Sequence, residues 1–104
     1  MSTATPQARA LAALGHDARL AIFRLLVRAG QDGLRVGEIA SHLGLAPSTL
    51  AHHMTVLVDA GLVSQERRGR EVVNRAVFDA ARDLAAFLLD ACCAGVEPRD
   101  GEAA

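Results

Sequence analysis

A mainly α-helical domain with a small β-hairpin is the fold class this chain predicts, and three observations predict it. Five stretches carry apolar residues at helical spacing and are bounded by Gly, Pro or residues suited to capping. Two β-prone runs, 62–66 and 72–77, flank the arginine-rich segment Arg67-Arg68-Gly69-Arg70. Just before them, residues 36–61 read as a short helix, a tight glycine turn and a second helix with a polar outer face. Helix, turn, helix and hairpin in that order describe a winged helix-turn-helix, which places one helix in the major groove and the hairpin beside the backbone.

Each element has a local reason. Ala10, Leu11 and Leu14 predict a first helix over 7–14, ended by Gly15. A second runs from Asp17, read as its N-cap, to Ala29, and stops at Gly30. Leu20, Ile22, Phe23, Leu25, Leu26 and Val27 make it apolar nearly all round, so it is expected at the buried centre. Val36, Ile39, Ala40 and Leu43 share one face of the third helix, and Gly44 suits the left-handed position after its end. Pro47 opens the fourth helix, where its missing N–H costs nothing. Leu50, Met54, Leu57 and Val58 form its inner stripe and Gly61 ends it. The fifth helix is expected from an Asp79 N-cap to about Cys93, with Leu84, Phe87, Leu88 and Ala91 on one side. Residues 1–6 read as a loose start, 7–94 as one domain, and 95–104 as a mobile acidic tail.

The 104 residues suffice for one core. With three Phe and neither Trp nor Tyr, that core must come from Leu, Val, Ile and Ala. The formal charge of −1 is unevenly spread. Residues 1–78 hold nine Arg against six acids, whereas 79–104 hold two Arg against six acids. The part expected to meet DNA is basic, and the acid lies in the last helix and tail. No run approaches the roughly 18 apolar residues of a membrane span, and no secretory signal pattern opens the chain. A cytoplasmic protein with reduced thiols is expected.

Helical spacing puts Ser48, Thr49, His52, His53 and Val56 opposite or beside the fourth helix's apolar stripe. Small hydroxyls near a helix start reach phosphates and bases, and imidazoles donate to base edges. Arg67, Arg68, Arg70 and Arg75 crowd the hairpin, opposed by Glu66 and Glu71, and are expected at phosphates. The same charges would also protect an edge hairpin from aggregation. His52 and His53 form no chelate by themselves, since helical neighbours diverge by about 100°. No phosphate-cradling glycine loop, catalytic triad context or complete metal set is present, so an enzyme is not expected.

Leu14-Gly-His-Asp-Ala-Arg-Leu-Ala-Ile-Phe-Arg-Leu-Leu26, Ile39-Ala-Ser-His-Leu-Gly-Leu45, Pro47-Ser-Thr-Leu-Ala-His-His-Met54 and Asp59-Ala-Gly-Leu-Val63 together resemble the ArsR/SmtB regulators over about residues 8–93. The resemblance implies a homodimeric repressor on double-stranded operator DNA that needs no cofactor and leaves when an inducer binds. It also implies a dimer interface built from the first and fifth helices, for which Leu11, Leu14, Leu84, Phe87 and Leu88 are the candidates. Arg35-Val-Gly-Glu38 stands where many arsenical sensors of the family carry a cysteine motif, and the fifth helix lacks the histidines of the zinc and nickel sensors.

Cys92 and Cys93 remain, in Asp90-Ala-Cys-Cys-Ala-Gly95. Some arsenic-responsive members resemble this pair but add a third cysteine, which this chain lacks. Thiolates are soft ligands for thiophilic centres. Two sulfurs suit a monomethyl arsenical, or arsenite completed by a small thiol or water, so a trivalent arsenical is the expected inducer. A helix would splay the two side chains, so the grip requires the helix end to unwind, for which Gly95 gives scope. Two other roles stay open: thiol oxidation as the signal, or plain core packing, since Cys92 follows Leu88 by four residues. A helical dimerisation module without DNA binding is the remaining alternative, and salt-dependent duplex binding separates the two.

Overall fold

The computed structural model describes residues 5–98. The helices are α1 (Pro6–Leu14), α2 (Asp17–Ala29), α3 (Val36–Leu43), α4 (Pro47–Asp59) and α5 (Phe78–Leu88). The strands are β1 (Leu34–Arg35), β2 (Val63–Arg68) and β3 (Glu71–Ala76). The expected winged helix-turn-helix is present, with most of the loose start, residues 1–4, and the end of the acidic tail, 99–104, lying outside the described residues.

Helix α1 starts one residue earlier than expected because Thr5 caps it. The Thr5 hydroxyl accepts the Ala8 N–H at 3.1 Å and Pro6 takes the first turn. Helix α2 is capped by His16 rather than Asp17: the His16 Nδ1 accepts the Ala18 N–H at 3.1 Å. Asp17 instead sits inside the first turn, favourably near the positive end of the helix dipole.

The hairpin is joined by a strand that the pattern did not predict. β1 pairs antiparallel with β3, giving the sheet order β1-β3-β2. Gly33 makes this approach possible. Its φ is +64°, and a Cβ there would stand 2.5 Å from the Asn74 carbonyl oxygen. Asn74 itself is fully buried, donating from Nδ2 to the Leu34 carbonyl at 3.1 Å and accepting from Gln65 Nε2 at 2.8 Å. One satisfied amide thus ties the three strands together.

Ile22, Leu26, Ile39, Leu50, Leu57 and Leu62 are wholly buried and draw α2, α3, α4 and the base of the hairpin onto one core. Leu20 and Val27 are exposed, so α2 is buried on one side rather than all round. Helix α5 follows β3 at once, anchored by the Val77 N–H to the Leu62 carbonyl at 2.9 Å. It begins at Phe78 and ends at Leu88, five residues short of the expected end. Beyond it the chain tightens into turns: Leu89 N–H reaches Ala86 O, Asp90 reaches Phe87, and Cys92 reaches Leu89. Ala91 and Cys93 have φ of +57° and +69°, which an α-helix excludes.

Candidate nucleic-acid interface

The turn between α3 and α4 is set by Gly44, at φ +64° and ψ +33°. Its N–H and that of Leu45 both donate to the Ala40 carbonyl, at 2.8 and 3.2 Å. These bonds satisfy the helix end while the chain reverses direction. Pro47 then starts α4, whose Leu50, Met54 and Leu57 lock into the core. Ser48, Thr49 and His52 stand exposed on the opposite side. Thr55, three residues after His52, shares that exposure and extends the polar face by one turn. Its hydroxyl is held against the Ala51 carbonyl at 3.1 Å, and the same spacing would have found it in the sequence.

His53 does not belong to that face. It is 7% exposed and points inward. The reason is periodic: it lies three residues after Leu50 and four before Leu57, on the stripe that packs against α2. Val56 is half-buried for a related reason. Burial first, then His16, Arg19 and His52, lower the His53 pKa below its ordinary value.

The wing is the β2–β3 hairpin with Gly69 and Arg70 at its tip. Arg68 pairs with Glu71 across the last rung, leaving a two-residue turn in which only Gly69 has positive φ, +62°. Arg67, Arg68 and Arg70 are exposed along this arm, and only Arg68 is drawn toward an acid, Glu66 at 3.4 Å. Arg75 is different. Its Nε donates to the Gln31 carbonyl at 2.6 Å and its Nη1 to Glu66 at 2.7 Å, with the side chain only 19% exposed. It tethers the wing to the turn after α2 and is not free for phosphate, contrary to its expected role. Arg75 and Arg68 hold the Glu66 carboxyl below the usual range, so it keeps its charge into mild acid. Arg35 adds a second tether by pairing with Glu71, while the Glu38 carboxylate accepts the Arg35 N–H at 2.9 Å to start α3.

A polar helix face beside an arginine arm is the geometry of a duplex-reading domain, and comparison with known proteins agrees. A helix-turn-helix domain family matches residues 14–66. The chain belongs to this helix-turn-helix family, as an ArsR-like winged-helix transcriptional regulator. It is 33% identical over 94 residues to the biofilm growth-associated repressor of Agrobacterium fabrum, covering 90% of this chain and 78% of that protein. Among solved structures it resembles an ArsR-like transcriptional regulator from Rhodococcus sp. RHA1, with 28% identity and a TM-score of 0.71 over 80% of this chain and 76% of the other. It also resembles the homodimeric winged helix-turn-helix DNA-binding domain of a possible ArsR-family regulator from Mycobacterium bovis. That match has 25% identity and a TM-score of 0.66, over 95% of this chain and all of the other. These relatives are regulators of transcription, not enzymes. No helix among the described residues is long and apolar enough to cross a membrane.

The remaining candidates of this ArsR-like chain lie on α1, α5 and the turn that follows. Leu11, Phe87 and Leu88 are exposed and Leu14 is half-buried, whereas Leu84 is buried in the protomer's own core. Leu89, 69% exposed, extends the apolar end of α5 and was missed because the helix was expected to run on. Cys92 and Cys93 are both exposed and outside any helix. Core packing of Cys92 is thereby corrected. The neighbouring Cys93 thiol raises the Cys92 thiol pKa, and Cys93 itself takes a left-handed backbone conformation at φ +69°. Among the described residues no group of three or more His, Cys, Asp or Glu is placed to hold a metal ion.

Proposed function

We propose that this chain is a homodimeric repressor that lays α4 in the major groove of an operator, sets its wing against the flanking phosphates, and dissociates when a trivalent arsenical bridges Cys92 and Cys93. The observation that carries the DNA-binding half is the single exposed face of Ser48, Thr49, His52 and Thr55 beside Arg67, Arg68 and Arg70. The dimer is supported by the apolar side chains Leu11, Phe87, Leu88 and Leu89 left uncovered on α1 and α5, and by the homodimeric relative. Two such protomers would present their reading helices to half-sites about 34 Å apart.

The inducer follows from the thiol pair. A helix end that has already unwound removes the geometric obstacle to a two-sulfur grip. Methylarsonous acid carries two hydroxyls, and each leaves as water with one thiol proton as an As–S bond forms. No thiolate is needed beforehand, which suits the raised Cys92 pKa. The pair adjoins Leu88 and Leu89, so closing a ring there would disturb the proposed interface and respace the reading helices.

The test is fluorescence anisotropy of the reduced protein on duplex DNA from the region upstream of its own coding sequence. Arsenite, methylarsenite, zinc and peroxide are titrated in turn. Release by a trivalent arsenical alone, absent in Cys92→Ser and Cys93→Ser, is the expected result. Release that survives both substitutions would remove the cysteines from the mechanism.

A further inference from the structure

The contacts of His53 do more than fill space. Its Nδ1 lies 3.4 Å from Nη1 of Arg19. A guanidinium can only donate, so Nδ1 must be the acceptor and the neutral ring keeps its proton on Nε2. Arg19 in turn donates from Nε to the Ala13 carbonyl at 2.7 Å, at the end of α1. His16 repeats the arrangement, since its Nδ1 accepts the backbone N–H that caps α2. The His16 and His53 rings pack with centroids 4.7 Å apart, and the His52 ring stands 5.7 Å away. Through these contacts the recognition helix is braced against α1 and α2 by two imidazoles that each offer a lone pair.

A proton on Nδ1 of His53 would remove that lone pair and point an N–H at a cation. The charged groups that act on it, His16, Arg19 and His52, all oppose the added proton. His16 comes from the α1–α2 loop, Arg19 from α2 and His52 from α4 itself. Arg9 of α1 and Asp59 of α4 line the cleft that Arg19 borders, and Asp17 follows His16 in the chain.

We propose that His53, braced by Arg19 and His16, is a positioning residue that holds α4 in its DNA-reading orientation only while its imidazole is neutral. This inference rests on the DNA-binding reading. The folded protein lowers the His53 pKa, so the stabilisation is whole above the ordinary value of 6.5 and is lost as pH falls below it toward the folded value. Mild acid therefore weakens operator binding. The sign matters, because protonation of an exposed histidine such as His52 would tighten binding to phosphates instead.

The experiment measures affinity for the same upstream duplex between about pH 7.5 and about pH 5.5 at constant salt. Wild-type affinity is expected to fall in acid by at most about tenfold for each unit that separates the His53 pKa in the DNA-reading orientation from that in the released one. His53→Gln keeps an acceptor for Arg19 and cannot titrate, so its acid loss should vanish whatever its affinity at neutral pH. Arg19→Gln removes the facing charge and should move the loss to higher pH, which serves if the first variant fails to fold. Binding with an acid loss that neither substitution alters would overturn this inference alone, as would binding that tightens in acid. No binding at any pH would overturn the repressor reading and this inference with it.

Discussion

Gly33 has room for nothing but hydrogen, and that fact sets the first expectation at the scale of single residues. A methyl there would meet the Asn74 carbonyl and the side chains of Val73 and Arg75, in a backbone conformation that L-residues resist. Gly33→Ala should cost about 2 kcal/mol or more, lowering Tm by roughly 10 °C in a domain of this size. Thermal unfolding by circular dichroism checks it; an unchanged Tm would mean that β1 can detach freely. Two arginines of similar sequence context should separate cleanly. Arg70→Ala should leave Tm unchanged and reduce the slope of log affinity against log salt by about 1 per protomer. Arg75→Ala should lower stability by about 1–3 kcal/mol through its lost charged hydrogen bonds. Equal effects of the two on Tm would contradict the tether described for Arg75. His53 and Arg75 are also where reading residue types misled. An imidazole and a guanidinium look like DNA contacts, but each faces inward for a reason that only the packing of α2 against α4 and of the wing against the Gln31 turn supplies.

At the scale of elements, α4 must serve two faces at once. Its inner stripe fixes the helix by burial, and the outer one, proposed to read the duplex, is thereby held still. Leu57→Ala should cost about 2–5 kcal/mol and weaken DNA binding only as far as it unfolds the protein, which comparing urea midpoints with anisotropy would reveal. Most elements were legible because their signals are local: Gly44 and Pro47 punctuate the turn, and Gly69 sits between two β-prone runs. β1 was not, since two residues cannot show a period and their pairing with β3 is nonlocal. The end of α5 was misjudged too. Nothing between Leu88 and Gly95 forbids a helix on propensity grounds, and the turn there depends on Ala91 and Cys93 adopting positive φ. That departure is what makes the cysteine pair chemically interesting.

For the whole molecule, exposed charge and exposed apolar surface are carried by different elements. The arginine arm and polar helix face occupy one part, while Leu88 and Leu89 stand 61% and 69% exposed at the end of α5. Replacing Leu88 with Glu should convert the proposed dimer to monomer in sedimentation velocity without unfolding it. It should also abolish tight duplex binding, because one reading helix cannot span two half-sites. A dimer unaffected by this change would place the interface elsewhere.

Asn74 and Arg75 clamp the wing to β1 and to the turn after α2, and Arg35, at the start of the helix-turn-helix, holds Glu71 close to the wing tip. The arm proposed to meet phosphate is therefore a bracket, not a flap. It reaches the duplex already shaped, so little ordering entropy is lost there on docking, and no signal can release DNA by folding it back. Whatever empties the operator must act elsewhere, by turning α4 or by moving the two protomers like the jaws of a caliper, with the wing itself unchanged.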